Sequence, residues 1–192
     1  MALAGQGYRE AITSALGPSE QRPFLAAGFT CREELHLLVH DLDDLAPPGA
    51  DDPVLRRPRR DEWATMAAID GRAFEGFWHL DAVGIAEAAA ATPTARVRVA
   101  VDPSGRLTGY AVAGRGSSRG YVQRVAVEPA DQGAGIGSTL TLDGLRWMAR
   151  RGAGTALVNT QLRNERALAL YLRLGFHRHA ERLAVLTHPL RP

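Results

Sequence analysis

Between residues 122 and 137 a β-branched run, a proline and a cluster of glycines follow one another, and that order leaves the chain little local choice. Residues 122–127 read as a strand, Pro129 ends it, and Gln132-Gly-Ala-Gly-Ile-Gly137 leads into a long helical pattern. In that helix Ile136, Leu140, Leu142, Leu145 and Met148 supply the buried sides, and Thr139, Asp143, Arg146 and Arg150 recur as a stripe expected to face solvent. A glycine-rich strand-to-helix loop suits an anion. Backbone N–H groups point outward at the helix start, the dipole favours negative charge, and glycine lets a phosphate approach the main chain. Two common phosphate loops do not fit. Counted from Gly133, a G-x-G-x-x-G fingerprint would place its third glycine on Ser138. A Walker loop requires lysine, and all 23 basic residues here are arginine.

The pattern that fits is Q-x-x-G-x-G, at Gln132, Gly135 and Gly137. A strand at 155–160 then precedes Asn164-x-x-Ala167-x-x-x-Tyr171-x-x-x-Gly175-Phe176. Asn164 is a good helix N-cap, and Gly175 a good residue just past a helix end. Upstream the residues read as a short strand at 54–57, helices at 61–74 and 81–91, and a strand at 96–101. A hairpin turn at Asp102-Pro-Ser-Gly105 and a strand at 107–113 follow. The order is β-α-α-β-β-β-α-β-α-β, an α/β fold. On the two motifs, in this order and with a strand between them, the chain resembles the GCN5-related N-acetyltransferase (GNAT) family.

That resemblance implies a mixed, mostly antiparallel sheet with flanking helices, acetyl-CoA as co-substrate, no metal, and acetyl transfer to a primary amine of a small molecule, peptide or protein. It implies CoA contacts from Val125, Ala126, Val127, Gln132, Gly133, Ala134, Gly135, Ile136, Gly137, Ser138, Asn164 and Tyr171. It also implies that Tyr171 protonates the departing thiolate, chemistry suited to a phenol that stays neutral at pH 7. On its own helix Tyr171 reads as a core aromatic, and Asn164 reads equally as only a cap. The acceptor is expected near Glu75, Phe77, Trp78 and His79, and near Tyr121 and Gln123 on the strand before the loop. Some family members carry a glutamate on that strand. Glutamine cannot take a proton at pH 7, which leaves Glu75, His79, Asp81 or a water chain as the base. The missing glutamate also admits a non-catalytic acyl-CoA-binding module, and the N-terminal arm admits a structural partner.

Composition narrows the class. The chain has 192 residues, 45% of them hydrophobic, a formal charge of +2 and one cysteine, Cys31. These imply one domain, or one domain with an appendage, no internal disulfide, no nucleic-acid partner and a cytoplasmic location; a monomer or homodimer is expected. The start, MALAGQGYRE, has no apolar signal core, and no apolar run reaches membrane length. Paired histidines, His36 with His40 and His177 with His179, lack the further ligands of a metal site.

Residues 1–46 read as an arm, 47–53 as a Pro-rich linker and 54–192 as the acetyltransferase domain. Within the arm, residues 11–16 read as a short helix ended by Gly17-Pro18, 23–27 as a second helix and 34–42 as a strand. Pro23-Phe-Leu-Ala-Ala-Gly-Phe29 echoes Leu170-Tyr-Leu-Arg-Leu-Gly-Phe176, with Phe24 in the place of Tyr171. The arm is therefore expected to be a remnant of a second acetyltransferase unit, a helix and strand like the C-terminal part of the same fold. Its strand is expected to pair antiparallel with 181–190.

Overall fold

The computed structural model describes residues 7–50 and 52–190. The start of the chain, on which the reading of a missing signal core rests, lies largely outside the described residues. In chain order the elements are β1 (Glu10–Leu16), α1 (Pro18–Ala26), β2 (Thr30–His40), β3 (Val54–Arg56), α2 (Trp63–Ala73), α3 (Ala82–Ala90), β4 (Thr94–Val101) and β5 (Leu107–Gly116). They continue with β6 (Arg119–Val127), α4 (Ile136–Arg150), β7 (Thr155–Gln161), α5 (Glu165–Arg173) and β8 (His177–Pro189). Contacts divide the chain into two compact units, His40–Val158 and the pair Met1–Val39 with Asn159–Pro192.

In the unit His40–Val158 the strands run in the order β3-β4-β5-β6-β7. All neighbours are antiparallel except β6 and β7. Helices cover both faces. Met66 and Ile69 of α2 and Ile85 of α3 pack on Val99, Tyr110, Val112 and Ala126. On the other face Ile136 and Leu140 of α4 pack on Ala100 and Ala111, with Val125 and Val127 against them. Val125 and Ala126 therefore serve opposite layers, as alternation along a strand requires. Arg56 makes two hydrogen bonds to Glu62, at 2.7 and 2.5 Å, and its guanidinium holds that carboxyl down to about 2.

The stripe on α4 is not solvated. Thr139 is buried and donates to Asp52 Oδ1 at 3.2 Å. Asp143 accepts from Arg96 at 2.7 and 2.9 Å, and Arg146 Nε donates to the Ala46 carbonyl at 2.7 Å. Only Arg150 of the four is exposed. Ala46 and Asp52 meet this side of the helix, so its polar side chains fasten neighbouring segments instead of meeting water.

In the other unit the order is β2-β8-β1. β2 pairs antiparallel with β8, Glu34 opposing Ala184 and Leu35 opposing Leu183. Residues 11–16 are not a helix. They form β1, antiparallel to the far side of β8, with Ala11 opposite His188 and Leu16 opposite Ala184. Hydrogen bonds to a waiting strand override the helix preference of the alanines. Gly17-Pro18 opens α1, with Pro18 in its first turn and Glu20 accepting from the Gly17 N–H at 2.7 Å. Leu38 opposes Arg178 and His36 opposes Arg182, so a bulge in β8 lifts His179 out of register. Among the described residues no group of three or more His, Cys, Asp or Glu could hold a metal ion.

Two triplets in this unit share one geometry. Helices α1 and α5 are nine residues each, and both are followed by a glycine of positive φ, 87° at Gly28 and 91° at Gly175. Phe29 N–H donates to Phe24 C=O at 3.0 Å, and Phe176 N–H to Tyr171 C=O at 3.1 Å. The ring pairs Phe24–Phe29 and Tyr171–Phe176 lie edge-on at 5.3 and 5.4 Å.

Because β8 lies between β1 and β2, removing residues 1–42 would strip both of its partners and uncover Ala184, Val185 and Leu186, which are buried. The expected result is a truncation that elutes as aggregate in chromatography with multi-angle scattering. A monodisperse, fully folded product would show that β8 stands without them.

Candidate functional site

The site is built outward from β6. Against β5 it is paired along its whole length, from Gly116–Arg119 to Gly109–Val127. Against β7 the register covers only Arg119–Thr155, Gly120–Ala156 and Tyr121–Leu157. From Val122 onward one edge of β6 has no strand partner within its unit. The contact on the β5 side is close: a Cβ on Gly109 would sit 2.8 Å from the Ala126 carbonyl and 3.3 Å from the Ile136 side chain. A bulge interrupts the β5 ladder, with Val112 opposite Arg124 and Ala113 opposite Val122. Gln123 is the extra residue. Its carboxamide lies over Gly114, where a Cβ would meet Gln123 Oε1 at 2.5 Å and Thr92 Oγ1 at 2.4 Å. Gln123 Oε1 is buried there with no hydrogen-bond partner among the described residues. Tyr121 stands half-buried beside it, paired with Gly114 and Leu157.

Beyond Val127 the chain turns through a short 3-10 segment, Pro129–Asp131. Two ion pairs hold it: Arg72 with Glu128 at 2.7 Å and Arg106 with Asp131 at 2.9 Å. Gln132 Nε2 then donates back to the Val127 carbonyl at 3.1 Å, strapping the loop to the end of the strand. Gly133 and Gly135 have φ of 93° and 81°, and added Cβ atoms would meet nothing within 4 Å. Glycine is therefore needed here for the backbone conformation and not for room. Gly133, Ala134 and Gly135 are exposed. Gly135 caps α4, and the first helical hydrogen bond runs from Thr139 N–H to Gly135 C=O at 3.0 Å. The amides of Ile136, Gly137 and Ser138 thus precede the helical ladder at its positive end, an arrangement that can hold a diphosphate.

The segment between α2 and α3 carries the other candidates. Gly76–Trp78 form a 3-10 turn in which the Phe77 and Trp78 rings lie 4.6 Å apart. Glu75 and His79 are exposed, and His79 Nδ1–H donates to the Gly76 carbonyl at 2.6 Å. Asp81 is spent on capping α3, its carboxylate accepting from Gly84 N–H at 2.8 Å.

In the other unit Asn164 Oδ1 accepts from Ala167 N–H at 3.0 Å and caps α5. Tyr171 is 7% exposed on that helix, its ring edge-on to Phe176. Sequence reasoning missed the pair Asp70 and Arg124, which join α2 to β6 at 2.5 Å. Two signals were available: a carboxylate among the apolar residues of α2, and one arginine inside a β-branched strand.

Residues 61–176 match the Acetyltransferase (GNAT) family, so the chain belongs to that family. A curated relative, the mycothiol acetyltransferase of Actinosynnema mirum, is 34% identical over 178 residues, which cover 85% of this chain and 59% of that protein. The mycothiol acetyltransferase of Rhodococcus erythropolis is 37% identical over 127 residues, covering 63% of this chain and 38% of the relative. The chain thus spans at most about three fifths of the length of these curated relatives. Among solved structures, a tandem GNAT protein from the clavulanic acid biosynthesis pathway superposes with a TM-score of 0.70 at 17% identity, covering all of this chain and 67% of that one. A GCN5-related N-acetyltransferase from Sphaerobacter thermophilus gives 0.66 at 22% identity, covering 97% and 62%. At these identities the structures share the fold.

Gly135→Glu should lower acetyl-CoA affinity by more than tenfold in calorimetry, because it sets a carboxylate at an anion site. The left-handed backbone at this position should cost about 1–2 kcal/mol of stability besides. Unchanged affinity would remove the loop from the CoA site.

Proposed function

We propose that the protein is an N-acetyltransferase that moves the acetyl group of acetyl-CoA to a primary amine of a small molecule, with residues 54–192 as its acetyltransferase domain. The observation that carries this reading is that β6, unpaired by β7 within its unit beyond Tyr121, runs directly into a loop whose positive-φ glycines expose the amides of α4. The name shared by the curated relatives supports a small-molecule acceptor. A cytoplasmic location fits a co-substrate held there, and no described helix is long and apolar enough to cross a membrane.

In the mechanism, the loop 132–138 holds the diphosphate and the backbone of 125–127 lies along the pantetheine arm. A β6 amide polarises the thioester carbonyl, so negative charge develops against a fixed donor. The amine nitrogen attacks the carbonyl carbon; the C–N bond forms, the C–S bond breaks, and the electron pair leaves on sulfur. Tyr171 donates its phenolic proton to that thiolate. The proton released by nitrogen passes to Glu75, His79 or water, since Asp81 is committed to its cap. We propose further that residues 1–46 are the closing portion of a second acetyltransferase unit. Phe24, which stands where Tyr171 stands in the repeat, has no proton to give, so the arm serves structure.

The test is thiol release from acetyl-CoA against a panel of small amines and peptides. Turnover with a small amine is expected. CoA binding without turnover on any amine would make the protein a binding module instead. With an active amine in hand, Tyr171→Phe should lower kcat by roughly 10²-fold while acetyl-CoA affinity stays near the wild-type value. Unchanged turnover would leave Tyr171 a packing residue.

A further inference from the structure

Asp70 on α2 is fully buried, with 0% exposure, and both of its oxygens are occupied. Oδ1 accepts from Leu80 N–H and from Arg124 Nη2, each at 2.5 Å. Oδ2 accepts from Tyr110 O–H at 2.5 Å and from Arg124 Nε at 2.7 Å. Four donors fill the acceptor sites of one carboxylate, so Asp70 has none left for a substrate. Burial first, then the Asp70 carboxylate beside it, pushes the Tyr110 phenol up, and it stays a proton-bearing donor.

Arg124 reaches further than its partner. Its Nη2 also donates to the Trp78 carbonyl at 2.6 Å, and its guanidinium lies 3.6 Å from the centre of the Phe74 ring. The segment from Phe74 to Leu80 is therefore tied at three points: a ring at its start, a carbonyl in the middle and an amide at its end. All three lead to one ion pair rooted in β6. Nothing about stability requires this, since a buried ion pair is often replaced by apolar packing at no cost. What the pair adds is direction: a planar fork fits one placement of its partners.

We infer that the Asp70–Arg124 pair is a positioning device that sets the acceptor segment 74–80 against β6, and so selects the amine without touching it. This rests on the acetyltransferase reading above. Arg124 occupies the bulge of β6 beside Gln123, so the strand that meets the thioester and the segment that meets the amine share one register mark.

Three variants test it. Asp70→Asn keeps shape and loses charge. Arg124→Lys keeps charge and loses the fork. Tyr110→Phe removes one donor and leaves the pair intact. Asp70→Asn and Arg124→Lys should each raise chymotryptic cleavage between Phe74 and Leu80 at least tenfold. They should also raise the amine KM at least tenfold with a smaller change in kcat, and leave acetyl-CoA affinity within threefold. Tyr110→Phe should stay within threefold of wild type in cleavage. Wild-type cleavage rates in both Asp70→Asn and Arg124→Lys would overturn the inference. So would a parallel loss of acetyl-CoA affinity, which would make the pair general scaffolding. If Asp70→Asn does not fold, Arg124→Lys decides on the same readings. If wild-type protein turns over no amine, the acetyltransferase reading fails, and the cleavage rates alone judge the clamp.

Discussion

Backbone hydrogen bonding along β6 is the constraint on which the rest of the site depends. The strand is held to β5 over its full length and to β7 over three residues at its start. Were both edges paired throughout, the stretch 122–127 would have no free amide or carbonyl to offer, and the loop after it would open onto a closed sheet. Were neither paired, the strand would lack the rigidity that an oriented amide needs. The asymmetry gives a fixed backbone with an edge that no other strand of its unit pairs beyond Tyr121.

The bulge at Gln123 refines this. An extra residue shifts the face that each following side chain serves. Downstream of it Arg124 and Ala126 turn toward α2 and α3, and Val125 and Val127 toward α4. One inserted residue thereby decides that a cation, and not an aliphatic side chain, meets Asp70.

How much of this was legible in the residues follows the distance over which each feature is determined. The glycine loop was readable because a left-handed backbone is a local demand that glycine meets locally. The caps at Asp81 and Asn164 were readable for the same reason, as each side chain bonds an amide three residues on. β1 was not, because an alanine-containing stretch becomes a strand only when β8 lies beside it, and no neighbour in sequence announces that. The stripe on α4 looked solvated because its partners, Ala46, Asp52 and Arg96, belong to other parts of the chain. The same holds for Asp70 and Arg124, whose pairing joins a helix to a strand and leaves each looking like an isolated polar residue. The likeness of residues 23–29 to 170–176 was visible as sequence, and in the structure both segments end a helix at a glycine of positive φ followed by phenylalanine.

The interleaving of β8 between β1 and β2 also sets an order of events during synthesis. β1 and β2 leave the ribosome before β8, the strand that both pair with, which follows about 140 residues after β2 ends. At roughly 5–20 residues per second that is an interval on the order of 10–30 s. Through it, Leu16, Leu35 and Leu38, all buried in the finished protein, have no sheet to enter. Such long sequence separation between paired strands slows folding. Until β8 arrives, the apolar side chains of β1 and β2 stay without the strand they pack beside.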